Sequence, residues 1–151
     1  MDLRQTFDDL VRFETEVWNT IDARLTRECG VTLSTFNALL IIDKTTNCRV
    51  NDLAAALSIT VGGVSQAVDR IEALGLLVRV PNPANRRSSL LQMTAAGSNA
   101  LSSASSVFDD ELALIFGQPL SDVDRTRFAK GLGTLRAAIS QRRSADAGIG
   151  R

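Results

Sequence analysis

The sequence predicts a mainly α-helical chain interrupted once by a small β-hairpin, and three observations carry that reading. Apolar residues recur at spacings of three and four over most of the chain, the period of a helix with one buried face. That period breaks at Leu76-Leu77-Val78-Arg79-Val80 and Ser89-Leu90-Leu91-Gln92-Met93, two β-rich runs flanking the turn Pro81-Asn82-Pro83-Ala84-Asn85. Helix-starting Thr32, Thr60, Thr94 and Ser121 alternate with the stops Gly30, Gly75 and Gly117.

The elements follow in order. Leu3, Phe7, Leu10, Val11, Val17, Trp18, Ile21 and Leu25 form one stripe on a first helix of about 25 residues, ended by Gly30. Thr32 caps a short second helix whose buried side is expected at Phe36, Leu39, Leu40 and Asp43. A polar loop, Lys44 to Arg49, leads to a third helix over about Asn51–Leu57, with Asp52 in the first turn where the helix dipole favours negative charge. After the tight connection Ser58-Ile59-Thr60, Thr60 caps a fourth helix running to Leu74. The hairpin follows, and Thr94 opens a fifth helix through about Ile115. Ser121 starts a sixth, with Val123, Phe128, Leu132, Leu135 and Ile139 inward. Residues 144–151 read as a flexible tail.

A chain of 151 residues is one domain's worth, and its 44% hydrophobic and 23% charged residues are those of a globular protein. Histidine is absent, which removes the usual general base, the serine and cysteine hydrolase triads and most zinc sites. Catalysis, a cofactor and a metal site are therefore not expected. The longest apolar run, Ala38–Ile42, is too short to span a bilayer, and the first residues lack the pattern of a secretory signal. Cys29 and Cys48 are too few for a disulfide scaffold and suit a cytoplasmic location.

Net charge is zero only on average. Residues 73–108 contain no acid and three arginines, Arg79, Arg86 and Arg87, while residues 109–124 contain five acids and no base. A local basic face, not the total, governs binding to nucleic acid. The seven bases of residues 125–151 read as a solvated helix exterior.

Two short helices joined by a brief turn and followed by a hairpin with a basic tip make a winged helix-turn-helix layout. On the fourth helix, Val64, Ala67, Val68, Ile71 and Leu74 gather on one side, expected to face the core. Gly62, Gln66, Asp69 and Ala73 gather on the other, flanked by Ser65 and Arg70. Such a small, polar outer stripe suits entry into a major groove, where Gln66 is able to pair with adenine. Each of Gly62 and Gly63 costs helix stability, so the pair points either to close approach of backbone N–H groups to phosphate or to tight helix packing. A nucleotide-binding loop is excluded, because no Gly-Lys-Ser/Thr follows and no strand precedes. Arg86 and Arg87, at the hairpin tip, suit a narrow minor groove or form an ordinary basic turn.

From Leu53-Ala54 through Gly97 the sequence resembles the MarR (multiple-antibiotic-resistance regulator) family of transcription factors. The resemblance rests on Val68-Asp69-Arg70-Ile71-Glu72-Ala73-Leu74-Gly75-Leu76, on Pro81-Asn82-Pro83-Ala84-Asn85-Arg86-Arg87, and on Met93-Thr94-Ala95-Ala96-Gly97. It implies a homodimeric repressor, with residues 1–30 and 95–143 as the helical dimerisation region and 31–94 as the winged DNA-binding region. The implied partner is a pseudo-palindromic duplex operator, contacted by Thr60, Gly62, Gly63, Ser65, Gln66, Arg70, Arg86 and Arg87. The family's wing aspartate is Asn85 here, which keeps an acceptor but loses the charge that would orient Arg87. Val78 and Val80 replace commonly polar wing positions.

The resemblance further implies relief by a small aromatic ligand or an oxidant. Trp18 and Phe36 are candidate pocket residues or plain core. Cys29 and Cys48, the latter beside Arg49, are candidate sensor thiols or passive ones. The competing reading is a winged-helix protein-interaction module that does not bind DNA; an enzyme or small-molecule carrier ranks below both.

Overall fold

The computed structural model describes residues 2–149. Six helices and one hairpin appear in the expected order: α1 Leu3–Cys29, α2 Leu33–Lys44, α3 Val50–Leu57, α4 Val61–Ala73, β1 Leu77–Pro81, β2 Ser89–Met93, α5 Ala95–Leu112 and α6 Asp122–Ile149. A π-helical turn, Ala113–Gly117, follows α5. The chain divides after Asp109 into two compact units.

In the first unit, capping chemistry sets the helix boundaries. Thr32 accepts from Thr35 N, and Thr60 from Gly63 N, each closing an otherwise orphaned first-turn donor. The α3 start is sealed by Asp52, whose Oδ2 accepts from Arg49 N at 3.0 Å. Gly30 (φ 69°) and Gly75 (φ 72°) turn the chain out of α1 and α4 through the left-handed region, where a side chain would be strained.

The core of this unit is built from Ile21 and Leu25 of α1, Phe36, Leu39 and Ile42 of α2, Leu53 of α3, Val64, Val68 and Ile71 of α4, Leu77 of β1 and Leu91 of β2, all buried. Phe36 packs on Phe108, ring centroids 4.8 Å apart. The hairpin pairs antiparallel from Leu77↔Met93 to Pro81↔Ser89. On its other edge, Leu91 N donates to Cys48 O at 2.8 Å, tying the wing to the loop before α3.

At the hairpin base, Thr94 N donates to Leu76 O, while the Thr94 hydroxyl donates to Gly75 O at 2.7 Å and accepts from Gly97 N at 3.0 Å. A Cβ on Gly97 would overlap the Leu76 carbonyl oxygen. The Thr94-x-x-Gly97 pattern is therefore the joint that lets α5 start directly against the wing.

Several expectations are corrected. Leu74 is 64% exposed rather than core, because α4 ends at Ala73 and Leu74 is already the cap. The buried face of α2 runs through Leu33, Phe36, Leu39 and Ile42; Asp43 is exposed and Leu40 half-buried. On α1 only Ile21 and Leu25 are buried, while Leu3, Phe7, Leu10, Val11 and Trp18 are exposed. In the second unit Ser121 caps α6, its Oγ accepting from Asp124 N at 3.2 Å. Val123, Phe128, Leu135 and Ile139 are exposed there, and Leu132 is half-buried. The helix continues to Ile149, so residues 144–149 are helical where a tail is expected, and 150–151 lie outside the described residues.

Candidate nucleic-acid interface

The outward row of α4 is as its period predicts: Gly62, Gln66, Asp69, Arg70 and Ala73 are exposed, and Ser65 is half-buried. Space in front of Gly62 is open, with nothing within 4 Å of a Cβ built there. At Gly63 the nearest atom is Thr60 Oγ1 at 3.3 Å, within the same cap. No neighbouring helix presses on either glycine, so tight helix packing does not account for the pair. Thr60 itself is exposed, its hydroxyl engaged as the N-cap.

The tip of the hairpin is held by neutral groups. Asn82, only 8% exposed, accepts from Ala84 N through Oδ1 and donates through Nδ2 to Ser88 Oγ at 2.8 Å. Ser88 Oγ in turn donates to Asn85 O. Asn85 Oδ1 accepts from Arg87 N at 3.0 Å, so it fixes the Arg87 backbone and leaves the guanidinium alone. Arg86 and Arg87 are exposed and have no ion pair among the described residues. An aspartate in place of Asn85 would have put a carboxylate beside them.

Arg79 differs from these two. Its guanidinium, 27% exposed, bonds Glu72 through Nη1 and Asp69 through Nη2 at 2.5 Å, while its backbone N donates to Glu72 Oε1 at 3.1 Å. Burial alone would lower its pKa, but the two carboxylates outweigh burial and hold it above the ordinary value. Arg79 is therefore a strut between α4 and β1, not part of the free basic face. Charge counting along the chain misses this, because the partners lie seven and ten residues away and meet only when the strand folds back on the helix.

The candidate sensor residues are separated. Phe36 is core, while Trp18 lines a cleft of about 330 Å³ with Asp22, Thr32, Ser34, Thr35, Ala67, Arg70 and Ile71. Cys48 is buried; burial and then Asp52 push its thiol pKa up against the opposing pull of Arg49. Arg49 is committed to Asp52, with Nε–Oδ2 2.9 Å and Nη2–Oδ1 3.0 Å. A sensor thiol needs exposure and a lowered pKa, and Cys48 has neither in this fold. Cys29 is half-buried, and both cysteines are free thiols. Among the described residues no cluster of His, Cys, Asp or Glu forms a metal site, and no helix is long and apolar enough to cross a membrane.

A sequence model of the MarR family matches residues 30–88, which span α2, α3, α4, β1 and the wing tip. Over these residues the chain is similar to the MarR family. This is a family of transcription regulators rather than enzymes. The same MarR-type fold extends over most of the chain. Sco3205, a MarR family regulator from Streptomyces coelicolor in complex with DNA, superposes with a TM-score of 0.83 at 18% identity, covering 90% of each chain. A mutant MarR from E. coli complexed with operator DNA superposes at 0.74 with 21% identity, covering 89% of this chain and 99% of that one. CouR from Rhodococcus jostii RHA1, bound to p-coumaroyl-CoA, gives 0.72 at 20% identity, covering 83% and 87%. No curated protein matches the sequence.

Proposed function

We propose that the chain is a homodimeric, sequence-specific DNA-binding repressor, with α4 in the major groove and the hairpin tip in the adjacent minor groove. The observation that carries this reading is the pairing of an unobstructed polar helix face with two unneutralised arginines one hairpin later. Thr60, Gly62, Gly63, Ser65 and Gln66 are the groove-facing set; Arg70, Arg86 and Arg87 contact phosphate or the minor groove.

Dimerisation supplies a partner for surface that water otherwise covers. Leu3, Phe7, Leu10 and Val11 form an exposed apolar stripe on α1, and Val123, Leu135 and Ile139 are exposed on α6. Helices from 1–30 and 95–143 burying these against a second copy would space two winged regions for a pseudo-palindrome. Half-sites are then about 10–10.5 base pairs apart or a multiple of that. The cleft beside Trp18 is the place for a small aromatic effector, since it reaches Arg70 on the DNA-binding helix.

Retention of duplex DNA as a function of salt tests the reading. Each neutralised phosphate adds about 0.9 to the slope of log affinity against log salt, so Arg86→Ala lowers both the affinity for every duplex and the slope. Gly62→Ala separates fold from function: it adds up to about 1 kcal/mol of helix stability, yet places a methyl between backbone and DNA and weakens binding. A protein that retains no duplex at low salt refutes this reading and favours a protein-interaction module. Sedimentation as a monomer at micromolar concentration removes the homodimer.

A further inference from the structure

We propose that the groove on the face of the hairpin turned away from α4 is a binding site for a neutral polyol of the sugar class. The inference goes beyond the DNA-binding reading and does not depend on it.

The groove lies between the loop after α2, the start of α3 and the hairpin. It spans about 780 Å³, against about 330 Å³ for the cleft beside Trp18. Ligand sites commonly occupy roughly 300–1,000 Å³ and are largely formed before the ligand arrives. Strand alternation makes this one. Arg79 turns toward α4 to reach Asp69 and Glu72, so its neighbour Val80 turns the other way, opposite Leu90 on β2. Val80, Leu90, Pro81 and Pro83 give the groove an apolar floor. Its walls are tied down without help from a ligand. Leu91 N holds the loop through Cys48 O, and Asn82, 8% exposed, has its amide engaged by Ala84 N and Ser88 Oγ.

The rim keeps unused hydrogen-bonding capacity. Thr45, Thr46, Asn47 and Gln92 all line the groove, and their side chains make no hydrogen bond to protein among the described residues. Each hydroxyl and each carboxamide both donates and accepts. The group that answers such a rim does the same, as a sugar hydroxyl does, while the C–H face of the ring suits Val80 and Leu90. Charge narrows the class further. Arg49 and Asp52 are the ionised groups on the lining, and they bond each other, Nε to Oδ2 at 2.9 Å and Nη2 to Oδ1 at 3.0 Å. An anion meets no uncommitted cation there and a cation no uncommitted carboxylate, so a charged ligand would lose its hydration without a partner. No aromatic ring lines the groove, which sets it apart from the cleft beside Trp18.

The experiment is amide NMR of the isotope-labelled full-length chain, titrated in turn with glucose, galactose, arabinose, ribose and myo-inositol to roughly 50 mM. At least one of these polyols shifts the backbone and side-chain amides of Asn47 and Gln92 saturably and leaves the Trp18 indole unmoved. Asn47→Gly, which keeps the left-handed φ of 54°, weakens that polyol about 2- to 12-fold, the range of one hydrogen bond. Gln92→Ala and Thr46→Val weaken it over the same range, and unchanged signals from the rest of the hairpin show that each variant is folded. Benzoate and inorganic phosphate, as charged probes, leave the Asn47 and Gln92 amides in place. Movement of the Trp18 indole instead, an equal response to benzoate or phosphate, or no saturable shift with any of the polyols overturns the proposal. Duplex retention is a separate measurement, and its failure bears on the DNA-binding reading alone.

Discussion

Replacing Arg79 by methionine removes the strut between α4 and the wing while keeping most of the aliphatic volume. The Arg79–Glu72 interaction joins groups that are 27% and 36% exposed, and the Arg79 backbone N adds a second bond to Glu72. Hydrogen bonds to charged groups are worth about 1.5–3 kcal/mol when sheltered, and this exposure discounts them toward the lower end. The arm to Asp69, whose side chain is 67% exposed, adds roughly 0.2–1 kcal/mol. The loss is therefore about 2 kcal/mol, or a fall in Tm of about 4–8 °C for a chain of this length. Much of that is the cost of stranding Glu72. The double variant Arg79→Met/Glu72→Gln is thus expected to recover about 1 kcal/mol relative to simple addition. Thermal unfolding followed by circular dichroism reads both numbers. DNA affinity should fall as well, because two freed carboxylates then face the phosphates, and the Asp69→Asn change should restore part of it. A Tm for Arg79→Met within about 1 °C of wild type, or strict additivity with Glu72→Gln, would refute the strut.

Other outcomes follow from the same geometry. Gly97→Ala forces a methyl onto the Leu76 carbonyl and should cost at least about 2–3 kcal/mol, read as a lower urea midpoint, while Gly62→Ala should not destabilise. Alkylation of the native protein near neutral pH should modify Cys29 before Cys48, and peroxide should leave Cys48 reduced. Early labelling of Cys48, mapped by mass spectrometry, would contradict its burial. Asp52 has its carboxyl pKa lowered, first by the Arg49 side chain and then by the Arg49 backbone N–H. Its contribution to stability is complete above its ordinary value near 3.8 and is lost as pH falls through the lowered one. Asp52→Asn should therefore flatten the acid limb of the stability curve and leave its shape above about pH 5 unchanged.

The elements were legible because their boundaries are local chemistry. Thr32, Thr60 and Ser121 cap helices through their own hydroxyls, and Gly30 and Gly75 end them through backbone conformations open to few residues. The outward row of α4 was legible for the same reason, since a period needs only one helix to express it. What the sequence misplaced were particular residues whose cover depends on a second element. Leu74 has the right period for the core but stands one residue past the last helical turn. Phe36 and Trp18 share a helical apolar pattern, yet one meets Phe108 and the other a cleft. The stripes of α1 and α6 carry core-like spacing and remain largely exposed in the single chain, because spacing says that a face is apolar and not what covers it.

The sequence by itself determined the order and type of the elements, the basic hairpin tip and the polar face that precedes it. Only the tertiary structure decided which charges are free. Arg79 looks like Arg86 and Arg87 in the chain, but folding the strand against α4 brings it to Asp69 and Glu72, whereas the tip arginines meet no acid among the described residues. An ion pair is a property of distance in space, and neighbours along the chain do not encode it.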